Sequence, residues 1–129
     1  MTDGEALIAA AASVRECAYA PYSRFLVGAA ILADDGKIYL GVNVENASYP
    51  EGMCAEAAAV AAMIAGGARR ALAIAVVSDA PRPVTPCGGC RQRLSEFAGP
   101  DLAVYLANLA GARENLTLGE LLPNSFRLP

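Results

Sequence analysis

Apolar residues first recur at spacings of three and four, at Leu7, Ile8, Ala11, Val14 and Ala18, which is one face of a helix. A Thr2-x-x-Glu5 capping box opens that helix and Pro21 stops it, so the pattern predicts it to about residue 19. The continuous apolar run 26–32 predicts a buried strand, Asp34-Asp35-Gly36 a hairpin turn, and 37–44 the partner strand. A polar loop follows over 45–52. The stretch 53–64 is apolar almost all round and ends at Gly66-Gly67, which predicts a second helix buried on most sides. A third strand is expected over 72–77. Pro81, Pro83 and Pro86 break 79–86 into a loop, with Thr85 as the cap of a third helix and Pro86 at its first position. Gly99-Pro100 closes that helix. Strands are expected over 102–106 and, more weakly, 112–116, and Thr117-x-x-Glu120 caps a short last helix. This order predicts an α/β domain over 1–129, with one mixed sheet of about five strands between helices.

Composition changes that picture in one respect. Hydrophobic residues make up 55% of the chain, so apolar surface is expected to be buried between subunits or in a membrane. A membrane span needs roughly 18 consecutive apolar residues, and the candidate 57–68 is too short and runs straight into Arg69-Arg70. Asp3 and Glu5 stand where a secretory signal would carry basic residues. The expectation is a cytoplasmic oligomer, with the second helix packing its spare face on another subunit. At a net charge of −3 the chain has no basic stripe for polyphosphate, which favours a small neutral ligand over a nucleic acid polymer.

Four cysteines and no histidine narrow the chemistry further. Disulfides are not expected in a reducing compartment, and neither a Ser-His-Asp nor a Cys-His arrangement can be built. Cys87-x-x-Cys90 alone would suit a redox dithiol, and with Cys17 as a fourth sulfur the cysteines would suit a structural zinc site. Cys17, at the end of an amphipathic helix, reads instead as a small buried hydrophobe. Cys54-Ala55-Glu56 adds a third sulfur and a carboxylate two residues on. Three thiolates leave a zinc coordination position open, and Glu56 beside it suits proton transfer. Cys54 and Cys87 fall at expected helix N-termini, where the helix dipole favours thiolate. Glu56 lies in the first turn of an otherwise greasy helix, so its charge needs a partner. Strand alternation puts Asn43 and Glu45 on one face, where a hydroxylated ligand could be held. Phe25 and Phe126 read either as core or as an aromatic wall for a base.

Cys-x-Glu followed by Pro-Cys-x-x-Cys resembles the signature of zinc deaminases acting on nucleobases, in its three-cysteine form. Pro21-Tyr22-Ser23-Arg24-Phe25-Leu26-Val27-Gly28, Asn43-Val44-Glu45-Asn46-Ala47-Ser48-Tyr49, Pro86-Cys87-Gly88-Gly89-Cys90-Arg91-Gln92 and Leu121-Leu122-Pro123-x-x-Phe126 extend the likeness over nearly the whole chain. Together they resemble the small homotetrameric cytidine deaminases. The resemblance implies a three-layer fold with helices on both faces of the sheet, and Zn²⁺ on Cys54, Cys87 and Cys90. It implies Glu56 as proton shuttle, Asn43 and Glu45 on the ribose, and Phe25, Ala55 and Phe126 against the substrate. The expected reaction is hydrolysis of cytidine, and of 2′-deoxycytidine, to the uridine product and ammonia in pyrimidine salvage. Homotetramers with sites shared near subunit junctions are implied as well.

Two positions depart from that family. Val42 replaces a frequent cysteine. Ala57 stands where the family usually has an arginine that helps neutralise the thiolates. Three thiolates on Zn²⁺ leave a net −1, for which the helix N-termini or Arg91 are candidate compensation. The blasticidin S deaminases also lack that arginine and are the alternative within the class. A non-catalytic structural-zinc module is the alternative outside it.

Overall fold

The computed structural model describes residues 4–129. Its strands are β1 (Val27–Ala33), β2 (Ile38–Val42), β3 (Ala71–Ser78), β4 (Ala103–Asn108) and β5 (Arg113–Thr117), in the spatial order β2-β1-β3-β4-β5. β3 and β4 run parallel, while β1–β2, β1–β3 and β4–β5 are antiparallel. The sheet is therefore mixed, as the sequence led us to expect. Its helices are α1 (Gly4–Arg15), α2 (Ala55–Ala65), α3 (Gly88–Glu96) and α4 (Leu118–Leu121).

The period-two alternation of a strand sorts the sheet residues between two cores. Ala30, Ala73, Ala75, Val77 and Ala107 pack with Leu7, Ile8 and Ala11 of α1 on one face. Ala29, Ile31, Ile74, Val76, Val104 and Leu106 pack on the other with Ala59 and Met63 of α2 and Leu94 of α3. Three layers result, with helices on both faces of the sheet, which is why β3 is aliphatic from Ala71 to Val77.

One glycine sets where α2 begins. A Cβ on Gly41 would lie 2.3 Å from the Ala55 carbonyl oxygen and 2.3 Å from the Ala59 amide nitrogen. The backbone of α2 thus rests directly on β2, and no side chain fits between them. This contact fixes the height of the first turn of α2, which carries Cys54 and Glu56.

Several boundaries differ from the sequence expectation. Thr2, half of the expected first capping box, lies outside the described residues. α1 ends at Arg15 rather than near 19, because Tyr19 pairs with the strand beyond β2: its amide donates to Asn43 O (3.0 Å), and its carbonyl accepts from the Glu45 amide (2.8 Å). Arg15 is buried and donates from Nε to Leu26 O at 3.1 Å, so a charged residue occupies part of the inward face. Cys17 is exposed in the turn that follows, not buried as expected. α3 begins at Gly88 with Cys87 as its N-cap, two residues later than Thr85-Pro86 suggested. The Thr85 hydroxyl is taken by Arg91 Nη2 at 3.1 Å, and the helical ladder opens with Arg91 N–H donating to Cys87 O at 3.0 Å. The last capping box is present as expected, with Thr117 and Glu120 bonding reciprocally.

α2 is only partly covered. Ala55, Glu56, Ala59, Val60 and Met63 are buried, but Ala61 and Ala65 are exposed and Ala57, Ala58 and Ala62 only half-buried. None of the described helices is long and apolar enough to cross a membrane.

Candidate metal and active site

Cys54 and Cys87 are the N-cap residues of α2 and α3, both in extended backbone, and neither side chain makes a capping hydrogen bond. Their sulfurs are left free to face outward from two converging helix starts. Cys90 follows one turn into α3, fully buried. The Cys54 and Cys87 sulfurs are 4.0 Å apart, and all three Sγ atoms lie within 4.8 Å of one another. A tetrahedral ion with zinc–sulfur bonds of about 2.3 Å spaces its sulfurs about 3.8 Å apart. The triad therefore fits Zn²⁺ with small inward shifts. Among the described residues Cys17 is not part of the group, so sulfur fills three positions and leaves one open.

The thiols are not alike. Burial pushes the Cys54 thiol up from its ordinary value. The Cys90 thiol is pushed up strongly, by burial first and then by the negative charge of Glu56 and Cys54. Cys87 is pulled down, chiefly by the backbone N–H of Cys90. Crowded thiols resist ionising together; a bound cation removes that resistance and displaces their protons.

Glu56, in the first turn of α2, is 6% exposed. Burial raises its pKa, opposed by its own backbone N–H and by the positive charge of Arg93. A carboxyl moved toward neutrality in this way is suited to take up and release a proton.

Cys54, Glu56 and Cys87 line a cleft of about 680 Å³, the size of a small-molecule site, and Cys90 completes the triad outside that lining. Phe25, Asn43, Glu45, Ala55, Glu56 and Cys87 all line it. At its mouth Tyr22 and Tyr49 meet edge-to-face, their ring centroids 6.3 Å apart. Alternation placed Asn43 and Glu45 together, and the structure does so, but their polar atoms also hold the cleft wall. Asn43 Nδ2 donates to Phe25 O (2.8 Å) and its Oδ1 accepts from the Val27 amide (2.8 Å). Glu45 accepts from the Tyr22 and Ser23 amides (2.9 and 3.1 Å) and from the Ser23 hydroxyl. Those hydrogen bonds, the Ser23 hydroxyl foremost, hold the Glu45 carboxyl below its usual range.

Phe126 does not enter this cleft. It is 68% exposed, and its carbonyl accepts from Gln92 Nε2 at 3.2 Å. Val76, Val84 and Thr85 line the cleft without having been expected there, Thr85 having been read only as a helix cap. Val84 could have been suspected, as an aliphatic residue inside a proline-broken loop. Arg91 does not reach the thiolates: its guanidinium donates to Pro86 O (2.7 Å), Leu121 O (2.6 Å) and Thr85 Oγ1. Arg93 does, with Nη1 at 3.6 Å from Cys90 Sγ.

Residues 1–106 match the family model of the cytidine and deoxycytidylate deaminase zinc-binding region. A cytidine deaminase of Sporosarcina psychrophila is 49% identical over 124 residues, which is 96% of this chain and 91% of that one. That of Halalkalibacterium halodurans is 50% identical over 124 residues, 96% of this chain and 94% of that one. Among solved structures, the cytidine deaminase of Burkholderia pseudomallei superposes with a TM-score of 0.92 at 48% identity, covering 98% of this chain and 100% of that one. That of Mycobacterium tuberculosis gives 0.86 at 42% identity, covering 99% of this chain and 100% of that one.

Proposed function

The chain belongs to the zinc-binding cytidine and deoxycytidylate deaminase family, and from that premise we propose that Cys54, Cys87 and Cys90 hold its zinc while Glu56 moves the protons. The enzyme is a cytidine deaminase, replacing the 4-amino group of cytidine by oxygen to give uridine and ammonia. One observation carries the residue assignment. Three sulfurs converge, and two of their residues line, together with a buried carboxyl, a cleft sized for a nucleoside.

When bound, zinc supplies a Lewis acid that brings the pKa of water towards neutrality. Glu56 accepts a proton from the attacking water and passes it to N3 of the ring as the new C4–O bond forms. It then carries a second proton to the departing amino nitrogen, so that ammonia leaves. Its burial excludes bulk water and keeps these transfers local. Phe25 and Ala55 bound the base. The remaining amide hydrogen of Asn43 and the remaining lone pairs of Glu45 meet the sugar hydroxyls, while the same side chains keep the 22–27 segment in place. The whole chain, 1–129, acts as one domain in this reading, in the cytoplasm, where thiols stay reduced.

Ammonia release should be comparable, within about tenfold, for cytidine and 2′-deoxycytidine. Neither cytosine, which lacks the sugar, nor cytidine monophosphate, whose phosphate finds no basic stripe, should compete with them. A preference of more than about a hundredfold for blasticidin S would place the enzyme with the antibiotic deaminases. A chain that binds zinc but turns over none of the five compounds would be a structural-zinc module.

We propose further that the enzyme is a homotetramer with shared sites. The open alanine face of α2 is apolar and incompletely covered among the described residues, and Phe126 and Leu128 (81% exposed) extend outward beyond α4. Closed symmetry would cover both. Phe126 then reaches a neighbouring cleft and covers the base. Glu56→Ala and Phe126→Ala chains, each crippled alone, should recover activity when dissociated and reassembled together. Some clefts then hold an intact Glu56 from one chain and an intact Phe126 from the other. No recovery despite proven subunit exchange would return Phe126 to its own chain.

A further inference from the structure

We propose that Arg93 is a positioning residue of the metal centre, its guanidinium bonded to the Cys90 sulfur and offsetting the negative charge of the three thiolates. This rests on the zinc reading above. Three thiolates around a divalent ion leave a net −1, and Glu56 adds a carboxylate beside it. Unrelieved, that charge makes the ion a poorer acid and is costly at a partly buried site. The first turn of α2, Ala55-Glu56-Ala57-Ala58, contains no cation. Arg91 spends its donors on two carbonyls and a hydroxyl. Among the described residues, Arg93 is the cationic side chain bonded to a sulfur of the triad, with Nη1 at 3.6 Å from Cys90 Sγ.

Its route there is informative. Arg93 stands three residues after Cys90, so the two share a helix face. Its guanidinium bends back towards the N-terminal end of α3, where the helix dipole opposes a positive charge. The anionic sulfur and carboxylate supply what draws it. Gly89 leaves the space: a Cβ there would lie 3.2 Å from Arg93 Nη1 and 4.0 Å from Cζ, whereas one on Gly88 would meet nothing within 4 Å. Arg93 therefore meets the metal-binding sulfur from outside the cleft lining.

The test replaces Arg93 by Met, which keeps length without charge, and by Lys, which keeps charge without the fork. Arg93→Gln is measured alongside, so that one neutral variant remains should Met impair folding. Zinc affinity is read by chelator competition at fixed pH, and the thiolate-to-metal charge-transfer band in the cobalt-substituted enzyme. Outer partners of metal ligands typically change affinity about 10–100-fold, and a loss of that size is expected for Met and Gln, with partial recovery in Lys. Loss of an N–H···S bond raises the sulfur donor level, so the cobalt band should move to lower energy. kcat should fall while KM stays within about twofold, because Arg93 does not line the cleft. Gly89→Ala, pressing on the guanidinium, should move the band in the same direction. If the wild type binds zinc and the neutral variants match it in affinity and band position, Arg93 is a surface charge and the proposal is overturned. If the wild type binds no zinc, the reading of the triad falls first and takes this one with it.

Discussion

Glu56→Gln is expected to fold, keep its zinc and lose about 10²–10⁴ in kcat or more, the usual contribution of a positioned acid–base group. Glutamine matches glutamate in shape and helix propensity, so the first turn of α2 should stay on Gly41 and β2. The amide cannot accept a proton from water or return it to the ring. Because the wild-type carboxyl is 6% exposed and its charge is unfavourable there, the neutral amide should cost no stability. The variant should melt higher at neutral pH, since a buried group that must ionise opposes folding above its unfolded pKa. Turnover, zinc per chain and the thermal midpoint separate the outcomes. Near-normal turnover would sink the proton role, and loss of zinc together with activity would make Glu56 a metal ligand.

The parts of this site that were legible in the sequence are those whose signal is local. Cys54 and Glu56 open an alanine-rich run that can only be a helix, so their place at its start followed from the pattern. The alternation 43–45 correctly brought Asn43 and Glu45 to one wall. What alternation could not show is that both side chains are already bonded to the 22–27 segment, because those partners lie about twenty residues away along the chain. The third helix illustrates a local signal overridden by a neighbour. Thr85-Pro86 is a sound helix start, but Arg91 captures the Thr85 hydroxyl, and Cys87 takes the cap position. Likewise the apolar spacing through Ala18 suited a longer α1, yet the backbone of Tyr19 is used in pairing beside the cleft.

Arg91 and Arg93 show the same limit in the electrostatics. In the sequence both are scattered helix charges, and Arg91, next to a ligand, was the natural candidate to balance the thiolates. Helix geometry decides otherwise. A residue one position after Cys90 points a full 100° away from it, while one three positions after shares its face. Arg91 thus ties the loop before Cys87 to the end of α4, and Arg93 meets the sulfur.

Cys54→Ser and Cys87→Ser are expected to lose zinc and activity together, while Cys17→Ser keeps both. Apparent zinc-binding free energies of about 10–16 kcal/mol, shared among three or four ligands, make one thiolate worth roughly 3–5 kcal/mol, or about 10²–10⁴ in affinity. Cys90→Ser should lose zinc as well, but it also places a hydroxyl in a fully buried position, so it is the less clean variant. The pH dependence adds a check on the same triad. Only thiolates bind the metal, so affinity must fall as pH falls, by about tenfold per pH unit for each proton displaced. Cys54 and Cys90 have pKa values raised by burial and hold their protons at neutral pH in the metal-free site, whereas Cys87 is lowered. Their two protons make the expected slope at least about a hundredfold per unit in the wild type. Removing Cys54 takes one raised thiol away, and the slope of the residual affinity should drop by one proton. Chelator competition between pH 6 and 8 on the wild type, Cys54→Ser and Cys17→Ser chains measures all of this. Loss of zinc from the Cys17 variant, or an unchanged slope in the Cys54 variant, would mean that the ion is held by a different set of sulfurs.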